Sequence, residues 1–379
     1  MKVAFITNNI FHYRKSFFEK LTSVNNINVK VFFGVESKKN TGRPDMGLTN
    51  YPFNFHILEN YEKKVGPYKL RWQRNYFMEL KEFNPDIVIV LGQSGFISNW
   101  VIMLWAKLRN KKIIIWACGW DSQKNKSLAL LFKNFISKRY FNFADLILLY
   151  STTAKKKFEK MDIKSHMEVC FNGIELDYYD NSMDKIERFA KEIKDEYAEN
   201  KITFLYVGGI LKEKRVDLLV KSYQKIQEAR LKDSQLWIIG DGPELNNIKK
   251  YVANNNIKDV VFFGRIVDGV DSYFSAADFF VLPGIGGLAL NQALYWNNIC
   301  ICADADGTEN DLVIPNITGY RFNNGDVNSL YTMMKKAIDE FDTKNQKSMR
   351  EKGRSLIINR NNVDVMVSHF IQSFRNLCG

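Results

Sequence analysis

Apolar and polar positions along the chain fall into two kinds of block that take turns. Short apolar runs occupy 2–7, 29–34, 53–58, 87–91, 112–117 and 146–150, and segments of mixed polarity fill about 14–25, 70–84, 94–109, 125–142 and 152–160. The runs are continuous rather than alternating. Lys112-Ile113-Ile114-Ile115-Trp116 is typical, and the pattern suits parallel strands covered on both faces. Strand, helix, strand in repetition predicts right-handed crossovers and a doubly wound sheet. Phe171-Asn172-Gly173-Ile174-Glu175-Leu176-Asp177 breaks the rhythm with an Asn-Gly turn signal. A charged helix is predicted at about 184–199, and the alternation then restarts. Strands are expected near 202–207, 236–239, 260–263, 279–282 and 299–303, with helices near 215–230, 243–254, 270–276, 287–297 and 326–341. The pattern predicts two α/β domains in tandem, 1–175 and 176–360. A closing segment, 361–379, carries Val363, Met366, Val367, Phe370, Ile371 and Phe374 on one helical face. That face needs a partner, and the first domain is one candidate.

Length agrees with two domains: 379 residues is more than one hydrophobic core usually serves. No apolar run approaches the roughly 20 residues of a membrane-spanning helix. Met1 to Thr7 enters a strand directly, which predicts a chain without a secretory leader. The five cysteines (Cys118, Cys170, Cys300, Cys302 and Cys378) show no metal-ligand spacing and read as reduced core thiols of a cytosolic protein. His56, His166 and His369 fit no metal spacing either. Charge is uneven. Residues 1–180 hold 28 Lys and Arg against 16 Asp and Glu, whereas residues 181–379 hold 26 of each, so the whole excess of +12 lies in the first half. Such a field draws anions: nucleic acid, an anionic lipid leaflet or a phosphorylated substrate.

Ligands of open α/β sheets bind beyond the carboxyl ends of the strands. In the second half those positions are Gly208-Gly209, Gly240-Asp241-Gly242-Pro243-Glu244, Gly264-Arg265-Ile266 and Pro283-Gly284-Ile285-Gly286-Gly287-Leu288-Ala289-Leu290. Glycine there lets a ligand approach the backbone. A helix beginning near Gly287 would aim amide groups at a phosphate, with Lys214 and Arg215 supplying positive charge.

Six segments in order carry a family likeness. They are Tyr206-Val207-Gly208-Gly209-Ile210-Leu211-Lys212-Glu213-Lys214-Arg215-Val216-Asp217-Leu218-Leu219, Gly240-Asp241-Gly242-Pro243, Phe263-Gly264-Arg265, Ala277-Asp278-Phe279-Phe280-Val281-Leu282-Pro283, Gly287-Leu288-Ala289-Leu290-Asn291-Gln292-Ala293 and Asn316-Ile317-Thr318-Gly319-Tyr320. The chain resembles the family 4 retaining glycosyltransferases over almost its whole length. The resemblance implies a GT-B fold, two Rossmann-like doubly wound parallel-sheet domains facing a central cleft, with a nucleotide sugar on the second. It implies that Lys214 binds the diphosphate and that backbone around Arg265 and Ile266 holds the base. The amides of Leu288 and Ala289 would meet the distal phosphate, and Gln292 would stand where the family has a ribose-binding glutamate. It implies no cofactor and no metal, the nucleotide sugar being a substrate. The sequence also departs from the family. Of its two glutamates seven residues apart, one position is Gly284 and the other Gln292. The arginine of its Gly-Arg-Leu is missing from Gly208-Gly209-Ile210, with Arg215 or Lys212 as replacements.

The first domain is then expected to hold the acceptor. Asn8-Asn9-Ile10-Phe11-His12-Tyr13-Arg14 follows the first strand. Members with a similar Tyr-Arg and paired phenylalanines (Phe17, Phe18) build surface glycans, which points to Tyr13 and Arg14 as acceptor-binding. Trp116-Ala117-Cys118-Gly119-Trp120-Asp121 replaces a His-Gly of many relatives, placing Trp120 at the acceptor as well. Asp121 or His12 would orient or deprotonate an acceptor hydroxyl; a helix cap and a surface-loop residue are the plainer alternatives. Residues 124–141 interleave apolar and basic positions, and Trp100, Trp105, Lys107, Arg109, Lys111 and Lys112 extend the patch. Two readings stand: an amphipathic helix covering the sheet, or one lying on an anionic lipid surface. Together these features predict a cytoplasmic, metal-independent retaining hexosyltransferase at the inner face of a membrane. It would use a nucleotide sugar, with UDP the expected nucleotide, and a glycan or lipid-linked glycan acceptor of surface polysaccharide. The competing reading is a catalytically silent partner of an active transferase. No nucleic-acid reading motif is present, which argues against a nucleic-acid partner. An epimerase on the same fold is a further alternative, and the oligomeric state is not legible.

Overall fold

A computed structural model of the chain describes residues 1–34, 51–65, 68–119, 128–198, 201–231, 233–305 and 307–379. The chain divides into two compact units, Met1–Asn172 with Val363–Gly379, and Gly173–Asn362.

The first unit holds strands β1 (Lys2–Thr7), β2 (Asn28–Gly34), β3 (Phe55–Val65), β4 (Tyr68–Arg74), β5 (Ile87–Leu91), β6 (Lys112–Ala117), β7 (Leu146–Leu149) and β8 (His166–Val169). Their spatial order is β4-β3-β2-β1-β5-β6-β7-β8. All neighbours run parallel except β3 and β4, which form an antiparallel hairpin from Glu59↔Arg74 to Val65↔Tyr68. Strand order reverses between β1 and β5, so the ligand-binding crevice of such a sheet lies at their carboxyl ends. Helices α1 (Lys15–Thr22), α2 (Phe77–Phe83), α3 (Ile97–Leu108), α4 (Leu128–Phe141) and α5 (Thr152–Lys160) link the strands. Val3, Phe5, Ile87, Ile89, Ile114 and Trp116 are buried on one face, and Ala4, Val88, Val90, Ile113 and Ile115 on the other.

The second unit holds α6 (Asp177–Tyr197), β9 (Ile202–Val207), α7 (Val216–Glu228), β10 (Ser234–Ile239), α8 (Leu245–Asn254), β11 (Val260–Gly264), α9 (Val270–Ala276), β12 (Phe279–Leu282), α10 (Ala289–Tyr295), β13 (Ile299–Ala303), α11 (Glu309–Leu312), β14 (Gly319–Phe322), α12 (Val327–Asp339) and α13 (Lys344–Asn359). Its all-parallel sheet runs β11-β10-β9-β12-β13-β14, the Rossmann order, with the reversal between β9 and β12.

The last helix, α14 (Val363–Cys378), belongs to the first unit. It buries Val363, Met366, Val367, Phe370 and Phe374. The Phe370 ring meets Phe17 at 5.1 Å, Trp116 at 5.5 Å and Phe5 at 6.2 Å. Phe17 and Phe18 are core residues of the same cluster. Glu168 of β8 fastens the helix from the side, accepting from Ser373 Oγ at 2.7 Å and facing His369 Nε2 at 3.1 Å.

Three differences from the sequence pattern have local causes. The helix expected at 70–84 is β4 followed by the short α2, because pairing with β3 overrides a polar, helix-like stretch. Tyr61 and Trp72 stack across that hairpin at 5.6 Å. Strands β8 and β14 and helix α13 went unread because all three are mixed in polarity and each strand has only 4 residues. Trp105 is buried and Trp100 is half-buried, donating Nε1 to Ser94 O at 3.0 Å, so neither belongs to a surface patch. Cys170, Cys300 and Cys302 are core thiols held in the neutral form by burial, whereas Cys118 and Cys378 are exposed.

Candidate active site

At the carboxyl edge of the second sheet the glycine turns are hydrogen-bonded to one another. Gly208 N donates to Ile239 O (3.0 Å), Ile210 N to Asp241 O (2.9 Å), Gly240 N to Gly264 O (2.7 Å) and Glu244 N to Ile210 O (3.1 Å). Ile285 N reaches across the reversal point to Glu213 O at 3.2 Å. The turns after β9, β10, β11 and β12 therefore form one continuous rim.

The glycines of the rim do two different jobs. A methyl group on Gly240 would lie 1.9 Å from Gly208 O, one on Gly242 2.5 Å from Ile210 O, and one on Gly284 2.3 Å from Glu213 O. These three let neighbouring turns approach each other, a reason for glycine that needs no ligand. The same contact explains why position 284 carries no glutamate: the adjoining 3-10 turn fills the space. Gly287 and Gly264 are different, since a methyl group on either meets nothing within 4 Å. Gly209 would meet only Leu211 of its own turn, at ordinary contact distance. Open space along the rim is thus found at Gly287 and Gly264.

Lys214 ends the 3-10 turn Lys212–Lys214, and its ammonium donates to Ile285 O and Gly286 O, both at 2.8 Å. It ties the loop that leads into α10. Arg215 sits in a left-handed conformation (φ 53°) and is paired through Nε with Asp217 Oδ1 at 3.2 Å. Helix α10 starts at Ala289 rather than Gly287, with Leu288 as its cap residue and no side-chain cap bond. Arg265 is exposed beyond β11, and Ile266 packs on the core.

Gln292 does not point freely at the rim. Its Nε2 donates to Tyr179 Oη at 3.2 Å and to Asp271 Oδ1 at 3.5 Å. Asp271 also accepts from Trp296 Nε1 at 3.0 Å. Burial raises the Asp271 carboxyl above the ordinary range, against the opposing pull of the bond from Trp296. Neither Asp271 nor Tyr179 was expected from the sequence. The missed signal was a carboxylate on the buried face of α9, beside Ser272 and Phe274.

The carboxyl edge of the first sheet is closed by side chains. Gln73 is buried and donates to Thr7 O (3.0 Å) and Asn60 Oδ1 (2.9 Å), while Asn60 Nδ2 donates to Asn8 O (3.0 Å). Asn9 is buried there as well, and its Oδ1 meets no donor among the described residues. Arg14 corrects an expectation. Rather than facing an acceptor, it is 9% exposed, donates to Asn172 Oδ1 (2.9 Å) and Tyr150 Oη (3.0 Å), and lies 4.3 Å over Trp116. It clasps α1, β6 and the end of the first unit together. Tyr13 is exposed and stacks on Phe11 at 5.5 Å. His12 lies in the 3-10 turn His12–Arg14 at the end of the loop after β1. Trp120 and Asp121 lie outside the described residues.

By fold the chain is a GT-B protein, with two units built on doubly wound, mainly parallel sheets, the second in Rossmann order. It is similar over its whole length to a glycosyltransferase of Rickettsia africae (TM-score 0.74, 14% identity, 99% of this chain and 98% of the other). It is equally similar to HepE of Anabaena in complex with UDP (TM-score 0.74, 12% identity, 99% and 100%). Within this fold, residues 188–356, most of the second unit, match the family glycosyl transferases group 1. Among curated relatives, an uncharacterized glycosyltransferase of Methanocaldococcus jannaschii is 24% identical over 258 residues. That match spans 65% of this chain and 63% of the relative, and a second from the same organism covers 39% of its own length. The lipopolysaccharide 1,6-galactosyltransferase of Escherichia coli is 25% identical over 276 residues, 68% of this chain and 67% of that one. These matches support a glycosyltransferase.

Proposed function

We propose that the chain is a retaining, metal-independent glycosyltransferase that moves a sugar from a UDP-sugar to a glycan or lipid-linked glycan acceptor of a surface polysaccharide. The observation that carries the reading is the continuous rim at the β9–β12 reversal, with the Lys214 ammonium fixed on the loop before α10. A cation and uncapped amides at a doubly wound switch point suit a diphosphate. The UDP complex of HepE and the lipopolysaccharide transferase of Escherichia coli support the donor and acceptor classes.

In this mechanism the bond from the anomeric carbon to the diphosphate oxygen breaks, and its electron pair leaves with the diphosphate. The acceptor oxygen bonds to the same face of that carbon, and its proton passes to the departing diphosphate. Basic side chains and backbone amides stabilise the developing charge, so no metal is required. Asp121 or His12 orients the acceptor hydroxyl, and Tyr13 and Trp120 contact the acceptor.

The test is incubation with a panel of nucleotide sugars and a lipid-linked acceptor, with EDTA present. Release of UDP with an anomeric product of unchanged configuration is expected. Stabilisation by UDP without any turnover would favour the silent-partner reading, to which the glycine at 284 lends weight.

Membrane association is part of the proposal. No helix among the described residues is long and apolar enough to cross a membrane. Helix α3, however, exposes Ile97, Val101, Leu104 and Leu108, the last at 78%, with Lys107 and Arg109 exposed at its end. Four apolar residues on one exposed helical face beside basic groups suit an anionic leaflet. Flotation with vesicles containing phosphatidylglycerol, but not with pure phosphatidylcholine, is expected. The double change Leu104→Ser, Leu108→Ser should abolish it.

A further inference from the structure

The β3–β4 hairpin runs on beyond the sheet it belongs to. Strand β3 last pairs with β2 at Gly34↔Leu58, and its stretch Glu59–Val65, about 20 Å of strand, pairs with β4. The base of the hairpin is laced to the chain leaving the two strands at the reversal. Asn60 Nδ2 donates to Asn8 O and Gln73 Nε2 to Thr7 O, both at 3.0 Å, where β1 ends. Arg71 N donates to Gly95 O at 3.0 Å, in the segment after β5, and its guanidinium lies 5.6 Å from the Phe96 ring. The hairpin thus roofs the β1–β5 crevice, the place where an open sheet would otherwise seat a ligand.

Side chains alternate along a strand, so the neighbours of Asn60 and Gln73 point the opposite way, off the sheet edge. They are the cross-strand pair Tyr61 and Trp72, stacked at 5.6 Å with planes 8° apart. The Arg74 guanidinium lies 4.6 Å over Tyr61 on one side. Lys63 follows two residues after Tyr61 on the same face, exposed and with no partner among the described residues. The Tyr61 hydroxyl donates to Glu59 at 2.8 Å, and Glu59 also accepts from Asn75 Nδ2 at 2.7 Å, so the ring is held in place while 37% of the residue stays exposed.

We infer that the outer face of this hairpin is a sugar-binding platform, on which Tyr61 and Trp72 hold a pyranose ring of the acceptor glycan and Lys63 and Arg74 take a phosphate attached to it. The inference rests on the proposed function, which gives the first unit to the acceptor, and it moves the acceptor from the crevice to the roof above it. The chemistry selects the occupant. One face of a pyranose is a row of C–H groups, which suits the negative face of an aromatic ring. A phosphate on that sugar meets a guanidinium or an ammonium to either side. A sugar next to the diphosphate of a lipid-linked glycan has this make-up. A lipid surface suits the face less well: its exposed side chains are Glu59, Tyr61, Lys63 and Arg74, with no aliphatic one among them to enter acyl chains.

The experiment labels the whole chain with 5-fluorotryptophan, assigns the Trp72 signal among the seven tryptophans by Trp72→Phe, and follows it by fluorine NMR. Glucose 6-phosphate is expected to shift the signal saturably, and glucose to do so with about tenfold weaker affinity, the worth of one charge-assisted bond. Inorganic phosphate leaves the signal in place. Lys63→Gln with Arg74→Gln, both at exposed positions, lowers the affinity for glucose 6-phosphate to that for glucose and leaves glucose unchanged. Tyr61→Leu weakens both sugars alike. In turnover with the lipid-linked acceptor, the double variant raises the acceptor KM about tenfold and leaves the KM for the UDP-sugar as it was, a split that general damage to the fold does not produce. A Trp72 signal that no sugar moves, in a protein that turns over a UDP-sugar, overturns the platform. A signal moved by phosphatidylglycerol vesicles and by neither sugar also overturns it, and gives the face to lipid. A wild type that binds glucose 6-phosphate at Trp72 but turns over no nucleotide sugar overturns instead the proposed function.

Discussion

The two units share a strand order around their reversal points, yet they finish their carboxyl edges in opposite ways. In the second unit the edge is backbone bonded to backbone, with glycines set where turns touch. In the first unit the edge is sealed by side chains: Gln73, Asn60 and the clasp of Arg14 on Asn172 and Tyr150. A backbone rim is shaped by turns that touch, so its form depends on where glycine stands rather than on which side chains line it. A side-chain edge ties its shape to particular residues. Sheets that reverse in the same way can thus be finished by backbone or by side chains.

Substitutions can break this contrast. Gly240→Ala should have the largest effect, since its methyl group would sit 1.9 Å from Gly208 O on a backbone with φ 148°. A loss of about 3 kcal/mol is expected in urea denaturation, from overpacking and strain together. Arg14→Met should cost about 2 kcal/mol of stability by leaving Asn172 and Tyr150 without their charged donor. An unchanged midpoint with altered acceptor kinetics would return Arg14 to the acceptor site. Lys214→Ala frees the loop at Ile285 and Gly286 and should weaken UDP binding about 10- to 100-fold, with a smaller change in melting temperature. Equal affinity would remove Lys214 from the donor site.

The smallest predicted effect is a difference in pH response. Burial pushes the Glu168 carboxyl up, but hydrogen bonds from Ser373 and His369 outweigh it and hold the group below its ordinary value. Its contribution is present above the unfolded carboxylate range and is lost as pH falls through its folded value. Asp271 is shifted upward by burial, so the folded chain binds its proton more readily and the contribution fades as pH rises above the ordinary range. Glu168→Gln should flatten the acid limb of stability against pH, and Asp271→Asn the limb above it, each by about 1 kcal/mol or less. Identical profiles in both variants would contradict the assignment.

What the sequence disclosed follows the same division. Glycine turns after apolar runs were legible because backbone demands write themselves into residue type: Gly208, Gly240 and Gly287 could be placed by rule. Their separate jobs could not, because whether a methyl group meets Gly208 O or open space depends on a neighbour far along the chain. Arg14 was read as an acceptor-binding residue because nothing local reveals that Asn172 and Met366 close over it. Asp271 and Tyr179 were invisible as partners of Gln292, since the three residues lie on α9, α6 and α10. The β3–β4 hairpin was lost because pairing decided its conformation, against the local pattern.

The central claim is that a nucleoside diphosphate lies along the rim of the second unit. Gly287 tests it most directly, because a methyl group there meets nothing within 4 Å. UDP titrated calorimetrically into Gly287→Val should bind at least about 100-fold more weakly than to the wild type, with the melting temperature preserved. Undiminished UDP affinity in a well-folded Gly287→Val protein would contradict the account.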